Sequence, residues 1–341
     1  MELHILESRT HKNAHVWELA LQQVVIAREM SEKYNFRHLY CEATILYCLI
    51  QSKEESTYQS YLDVIDIMKN DGNLLQLGFA WMHFGQYLRR RRLDGDFQQS
   101  KKCLHMSQQI AKKLNNRSLD ADVSMRIANL EVLFGRSIDA ERNFQRSYEL
   151  YRRLGRTEDT CLLLGNMASW CIHTNNPDRG WRMLLRAKKI LDGLKGRTGF
   201  TTAKMIYTGN TAIILNIRKQ YDMALPHAEM AWKLAQRDNQ NYLHPFVAII
   251  LLETLVGLGR IDDAKALLPV FDVQEFDSLD DHGQVRVLLQ QGMAAILLGD
   301  QPKALNVARV VYEKILANNL EDLEVRYEYN KLIMLLYAED K

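Results

Sequence analysis

Histidine and cysteine side chains are the residues of this 341-residue chain that most readily bind metals or act as nucleophiles, and their spacing matches neither role. The ten histidines are scattered, and none falls at metal-ligand spacing with a cysteine and an acidic residue. The five cysteines are odd in number, and no two are separated by two residues: Cys41, Cys48, Cys103, Cys161 and Cys171. This pattern predicts neither a disulfide framework nor a zinc knuckle, and it indicates buried free thiols in a reducing cytoplasm.

Short catalytic motifs are absent from the sequence. It contains no His-Glu-x-x-His helix, phosphate-binding loop, nucleophile elbow or dinucleotide fingerprint. His83 and His173 fall on segments with a helical pattern, where a hydrogen-bonded structural role is the simpler interpretation. We therefore predict that the chain itself is not an enzyme and needs no cofactor, although an active site assembled from distant residues stays open as an alternative.

An acidic stretch from Asp272 to Asp281 follows Pro269 and is the one cluster of carboxylates that suggests a cation site. Its spacing matches no calcium-binding loop. Charge runs are usually solvated, so we predict a loop after a shortened helix, an irregularity over 269–283, and no metal.

Polar side chains that recur about every forty residues are better candidates for binding. They form two series: Gln86, Arg126, Asn166, Asn210 and Gln290 in the first, and Arg89, Asn129, Ser169 and Glu253 in the second. Amides donate and accept hydrogen bonds at once, which suits the backbone of an extended peptide. The alternative is that these side chains merely solvate an exposed helix face.

A run of four arginines, from Arg89 to Arg92, forms the strongest local positive charge. Consecutive residues point around a helix, so only one or two can share a face. Cations also suit a helix C-terminus, where they interact favourably with the helix dipole. Both a patch for an acidic partner and a solvated helix end are consistent with this run.

These candidates are positioned by an internal repeat. Small residues recur at intervals of 40, with one interval of 44: Ser100, Ala140, Gly180, Ala224, Ala264 and Ala304. Extrapolation backward reaches two more small residues, Ser60 and Ala20. Such periodicity is the sequence pattern of a repeat array, whose core grows lengthwise.

A turn precedes each of the six small residues. Five turns carry a residue that tolerates left-handed backbone at a helix end: Gly95, Gly135, Asn175, Gly259 and Gly299. Lys219 occupies the sixth turn and does not suit it, so we predict an irregularity over 217–224, in the repeat with four extra residues.

The segments between turns have helical periodicity, and no sustained alternation predicts a strand. Each repeat is predicted to be a helix, here called A, a tight turn and a second helix, called B. We therefore predict an all-α chain of about eight helix-turn-helix repeats of about 40 residues, stacked over 1–341 into a right-handed superhelical solenoid.

The repeats resemble tetratricopeptide repeats. The small residue that the family places in helix A is matched by Ala128, Ala168, Ala212 and Gly292, and the later one in helix B by Ala27, Ser107, Ser147, Ala187 and Ala231. The period is forty residues, whereas the usual period of the family is thirty-four. Longer repeats of this kind resemble those of bacterial peptide-responsive regulators, maltose-regulator-like activators and the sensory parts of diguanylate cyclases. The resemblance implies a concave groove lined by A helices, with Asn166 and Asn210 at positions that bind peptide backbone in family members.

The ends and the composition complete the expectations. Ala20 would lie on a B helix and the last segment on an A helix, so the array would begin and end within a repeat, which favours a fragment of a longer protein over a chain that ends in a cap.

The net charge of +2 argues against a nucleic-acid partner, and the polar N-terminus predicts a cytoplasmic protein without a signal peptide. The most apolar run, 246–258, contains Glu253 and is too short for a membrane span.

The sequence thus predicts a regulatory or sensory module of a bacterial signalling protein that holds a protein or peptide in its groove. An output domain outside this chain would carry any catalysis. A constitutive assembly scaffold is the first alternative, and an all-helical enzyme is the second.

Overall fold

Every regular element described by the computed structural model is helical. The description covers residues 1–13, 17–51, 56–91, 95–194, 201–237, 244–272, 281–318, 320 and 322–338. Within these ranges there is no strand, and the all-α prediction is confirmed. The helices are α1 (Glu2–Asn13), α2 (Trp17–Lys33), α3 (Arg37–Ile50), α4 (Ser56–Asn70), α5 (Leu74–Arg91), α6 (Asp96–Lys113), α7 (Arg117–Leu133), α8 (Ser137–Arg153), α9 (Thr157–His173), α10 (Pro177–Gly193), α11 (Thr201–Ile217), α12 (Tyr221–Gln236), α13 (His244–Gly257), α14 (Ile261–Lys265), α15 (Asp281–Leu297), α16 (Gln301–Asn318) and α17 (Leu323–Ala338).

Consecutive helices form eight pairs in the described chain, followed by α17. Odd-numbered helices are of A type and even-numbered helices of B type. The helix α1 packs against α2, and Ser8 Oγ donates to the carbonyl of Ala20 at 2.7 Å. The expectation that the array begins within a repeat is therefore wrong, because the first B helix has its A partner.

The chain divides into two compact units. Unit 1 comprises Met1–Glu131 and Ser137–Gly155, which includes α1 to α6, α8 and all but the end of α7. Unit 2 comprises Val132–Arg136 and Arg156–Lys341, and its helices run from α9 to α17. In both units, most helices that are adjacent in sequence pack together. The A helices also contact one another, from α1 through α3 to α5 in unit 1 and from α9 through α11, α13 and α15 to α17 in unit 2.

All six predicted A-to-B turns contain a residue with positive φ. Lys219 is one of them, with φ +57°, although it lacks the freedom of glycine. Its turn is regular, since the Gln220 amide donates to the Leu215 carbonyl at 2.9 Å, as Asn176 does to Cys171 at 2.7 Å. The four extra residues therefore lie between α10 and α11, and not at 217–224.

Replacement of Lys219 by glycine is expected to stabilise the protein by about 1 kcal/mol, because a left-handed conformation costs a residue with a Cβ about that much. Lys219 is exposed, so little packing is lost. Urea denaturation followed by circular dichroism measures the effect. Gly259→Lys is the matched control in the equivalent turn and should lower stability by a similar amount, since Gly259 has φ +71°. A neutral result for both would contradict this account.

The small residues of the repeat lie where helices approach closely. The predicted helix-A and helix-B positions are buried, and a Cβ on Gly292 would come within 2.9 Å of Leu332. Ser100 is fully buried and its Oγ donates to the Gly85 carbonyl at 2.7 Å. Ser60 is an exception: it is half-buried, and the neighbouring Tyr61 takes the buried position in α4, so the predicted register is displaced there by one residue.

The seventh helix B is short, as the sequence predicts. The helix α14 ends at Lys265 and is followed by a 3₁₀ turn, Leu268–Phe271, that contains Pro269. Phe271 is buried, and its carbonyl accepts from Gln291 Nε2 at 2.8 Å, which ties the segment to α15. Most of the acidic stretch, residues 273–280, lies outside the described residues.

Candidate functional site

The A helices form the layer on which a partner would lie, and the two units arrange this layer differently. In unit 1, α3 contacts both α1 and α5. In unit 2, each of α9, α11, α13, α15 and α17 contacts the next, and α17 also contacts α9. The A layer of unit 2 therefore closes into a ring.

The A layer of unit 1 contains a cleft of about 500 Å³ between α1, α3 and α5. Its walls are mainly apolar, with polar groups at the edge: Arg9, Cys41, Glu42, Ile45, Leu46, Leu49, Leu75, Gln76, Phe79 and His83. A concave apolar surface of this size with a few polar groups is typical of a binding site. We call this surface the unit 1 cleft.

The chemistry of the unit 1 cleft suits binding better than nucleophilic catalysis. Burial, with a smaller contribution from the charge of Asp71, raises the pKa of Cys41 to about 12. The thiol is therefore protonated at neutral pH and is a poor nucleophile. At the edge, Arg9 forms an ion pair with Glu42 and joins α1 to α3.

One stripe of α5 continues from the cleft along the helix. Gln76, Phe79, His83 and Gln86 follow one another at spacings of three and four, so they share a face. Gln86 is half-buried, and its Oε1 atom is inaccessible to solvent and accepts no hydrogen bond from any described residue. Buried acceptors are normally satisfied, so this oxygen next to the cleft is an exception.

The arginine run contributes less positive charge to this surface than its sequence suggests. Arg91 makes a bidentate ion pair with buried Asp96, at 2.6 and 2.8 Å, and lies over the ring of Tyr58 at 4.3 Å. Arg90 is exposed and Arg89 half-buried, while Arg92 lies outside the described residues. Arg91, the last residue of α5, is therefore bound to the start of α6.

The other unit 1 candidates, Arg126 and Asn129, are half-buried on α7. The structure places them on the A helix that follows α5. The sequence analysis did not predict the residues of the unit 1 cleft, because its candidates were polar side chains at a fixed position in each repeat. The signal of the cleft residues is instead an apolar stripe on α3, with Ile45 and Leu49 four residues apart on one face.

In unit 2, two of the recurrent amides serve packing. Asn210 is buried, and its Nδ2 donates to the carbonyl of Gly165 at 2.9 Å, which ties α11 to α9. Gln290 is also buried, with 4% of its surface exposed. Asn166 and Ser169 are half-buried on α9. The amide nitrogen of Asn210 is thus already used by another helix.

Glu253, the last of the predicted residues, binds α17. Both of its carboxylate oxygens accept from Lys331 Nζ, at 2.9 and 3.0 Å, although the two residues are 78 positions apart in sequence. Burial alone would lower the pKa of Lys331, but the charge of Glu253 and the hydrogen bond to it, with smaller contributions from Tyr327 and Glu328, together raise it. The predicted groove residue is therefore committed to an ion pair within the chain.

Further charged residues of unit 2 face α17. Arg286 of α15 lies between two carboxylates of α17, 3.1 Å from Glu328 and 3.5 Å from Glu324. Burial opposes its charge, yet the two carboxylates raise the pKa of Arg286 above its usual value. The ring of His173, on α9, lies 5.1 Å from that of Tyr327, and burial lowers the pKa of His173.

A group of possible metal ligands lies at the start of α17. Ligand atoms of His282, Asp322 and Glu324 fall within 4.8 Å of one another. Asp322 is already engaged: one oxygen lies 2.8 Å from His282 Nε2, and the other accepts from the amides of Glu324 and Val325 at 3.0 Å. These contacts identify Asp322 as the N-cap of α17 and explain the group without an ion.

None of the described helices combines the length and the apolar character needed to cross a lipid bilayer.

Solved structures that are similar to this chain include a quorum sensor and a signal transduction ATPase. The quorum sensor NprR of B. thuringiensis is 14% identical, with 97% of this chain and 99% of that chain covered and a TM-score of 0.57. A signal transduction ATPase with numerous domains and a tetratricopeptide repeat sensor, from Pyrococcus horikoshii, is 14% identical over 91% of this chain, with a TM-score of 0.51. The alignment spans only 50% of that ATPase. No protein-family profile matches the chain, and no curated protein is similar to it in sequence.

Proposed function

We propose that this chain, which has the fold of the tetratricopeptide-repeat superfamily as its sequence predicts, is a regulatory module that binds an extended peptide of a protein partner in the unit 1 cleft. The observation that carries the proposal is the cleft itself, an apolar surface of about 500 Å³ on the A helices. Its apolar walls suit a hydrophobic side chain of the peptide, and its polar edge suits the peptide backbone.

The predicted polar residues have different roles in the two units, and this difference supports the location in unit 1. In unit 2, Asn210 and Glu253 are used by contacts within the chain. In unit 1, Gln86 keeps a buried acceptor for which no described residue supplies a donor. A peptide amide that donates to Gln86 Oε1 would satisfy this acceptor once the Gln86 side chain turns toward the cleft.

The signalling role is the second part of the proposal. Both of the similar structures described above are sensors by name, a quorum sensor and an ATPase with a tetratricopeptide repeat sensor. By analogy we propose that the bound peptide controls an output function in a bacterial signalling protein, with no catalysis in this chain and no nucleic-acid or membrane partner. The five cysteines are buried free thiols, which suits a reducing cytoplasm.

Selection from a random peptide library displayed on phage tests the binding site. We expect wild-type protein to enrich peptides with a shared apolar position, and Leu49→Lys to weaken their affinity at least tenfold, because it places a charge in the apolar wall. Gln86→Met, which removes the amide group and keeps the length of the side chain, is expected to weaken it about fivefold to tenfold. Isothermal titration calorimetry with a selected peptide measures both.

Ile138→Lys is the matched control for these variants. Ile138 is 77% exposed on α8, so the same charge is introduced into unit 1 away from the A helices. We expect wild-type affinity from this variant. Unchanged affinity in both Leu49→Lys and Gln86→Met, with the fold retained by circular dichroism, would place the peptide elsewhere and contradict the proposal.

A further inference from the structure

The two sides of α17 have different partners. The apolar side carries Val325, Leu332 and Leu336, all buried, and packs on α15 and α16 as the next helix A of the array. The polar side carries Glu324, Tyr327, Glu328 and Lys331, and it faces earlier A helices of unit 2. A helix that only capped the array would need the first side and not the second.

The polar side matches its surroundings in charge. The carboxylates at 324 and 328 meet the guanidinium of Arg286, and the ammonium at 331 meets the carboxylate of Glu253. Near its start α17 supplies the negative charge of an ion pair, and one to two turns later it supplies the positive charge. This order of charges fixes both the direction and the register of the docked helix. Asp322 adds a third contact, with His282, at the helix start.

We propose that the ring of A helices in unit 2 is a helix-binding site, and that α17 is a ligand for it carried by the chain itself. This site is separate from the peptide site of unit 1 and extends the proposed function. A partner helix fits if it presents carboxylates at positions i and i+4, tyrosine at i+3 and lysine at i+7. It also needs apolar residues at i+1, i+8 and i+12, because those positions of α17 are buried.

The chemistry of the contacts makes exchange with such a partner feasible. The side chains of Glu253, Lys331 and Arg286 are 21%, 31% and 26% exposed, so each is already in partial contact with water while α17 is docked. A helix in the same chain competes at a high effective concentration, so a free helix binds appreciably only when the docking of α17 is weakened. The site would therefore respond to changes that weaken the ion pairs of α17.

A fluorescent peptide of residues 320–341 serves as the probe, with fluorescence anisotropy as the readout on the full chain. We expect weak binding to wild type and at least tenfold tighter binding to the Lys331→Glu chain, in which α17 is repelled by Glu253 while the site is unchanged. A second peptide carrying Lys331→Glu should not bind that chain. It should bind a chain carrying both Glu253→Lys and Lys331→Met.

Hydrogen exchange supplies the second measurement and shows whether α17 is released. The amides of α17 should exchange at least tenfold faster in Lys331→Glu than in wild type, and the charge-swapped chain Glu253→Lys, Lys331→Glu should restore the slow rate. If the charge reversal unfolds the protein, the same exchange measurement is made on Lys331→Met, which removes the ion pair with Glu253 without adding a repulsive charge. Release of α17 without peptide binding, binding of both peptides alike, or α17 amides that exchange no faster in a folded variant would each overturn the proposal.

Discussion

The Asp96→Ala variant is expected to lose about 3 kcal/mol of unfolding free energy, because removal of one partner of a buried ion pair leaves the other charge uncompensated. Asp96 is 1% exposed, and it accepts two hydrogen bonds from Arg91 across the turn between α5 and α6. The hydrogen bond to Asp96 raises the pKa of Arg91, against the effect of burial. A guanidinium stays charged at neutral pH even without this hydrogen bond, so Asp96→Ala leaves a charge without its partner.

Urea denaturation followed by circular dichroism measures this loss. Asp139→Ala is the matched control in the same unit, since Asp139 and its partner Arg142 are both exposed and 3.4 Å apart. Exposed pairs contribute less than about 1 kcal/mol, so the control should be nearly neutral. The double variant Arg91→Met, Asp96→Leu should recover most of the loss. Equal effects of Asp96→Ala and Asp139→Ala would show that the pair does not behave as buried.

The same pair illustrates what the sequence could predict about side-chain roles. Four arginines in succession before a turn are consistent with a charged patch and with a helix end, and neither interpretation identifies which arginine is engaged. Which arginine is engaged depends on Asp96. This residue directly follows Gly95, where a φ of +78° turns the chain back on itself. A local turn was predictable, while the pairing that it creates required coordinates.

The fold was largely predictable because its determinants are local. Residues that tolerate left-handed backbone end helices wherever they occur, and small residues mark close approach, so the turns and the helix order follow from the sequence. The position of the repeat is predicted less reliably when the forty-residue interval is extrapolated along the chain. At α4 the small Ser60 matched the interval by chance, whereas the buried position belongs to Tyr61, which the rule for small residues could not select.

The candidate site was less predictable, because one residue type serves two purposes at the same register. An amide on helix A can meet a ligand or the neighbouring helix A, and Asn210 does the second. Glu253 was correctly placed on an A helix, but its partner Lys331 lies four helices later in the chain order. No local pattern reports the closure of the ring that brings these two residues together.

Gly257→Ala is the second variant for which a large effect is expected, a loss of about 1–2 kcal/mol. Alanine in place of glycine favours a helix by up to about 1 kcal/mol, so the loss must come from packing. A Cβ at position 257 would lie 2.5 Å from three ring atoms of Tyr221, and the ring at the start of α12 must move away from the end of α13. Overpacking of this kind costs about 1–3 kcal/mol and outweighs the gain in propensity.

The Tyr221→Ala background separates the two contributions to this effect. With the ring removed, only the helix propensity remains, so Gly257→Ala should become stabilising by up to about 1 kcal/mol. The sign of the change in unfolding free energy therefore reverses between the two backgrounds, and a double-mutant cycle from urea denaturation measures the coupling between the residues. Equal effects of Gly257→Ala in both backgrounds would show that the ring does not limit the approach of α13 to α12.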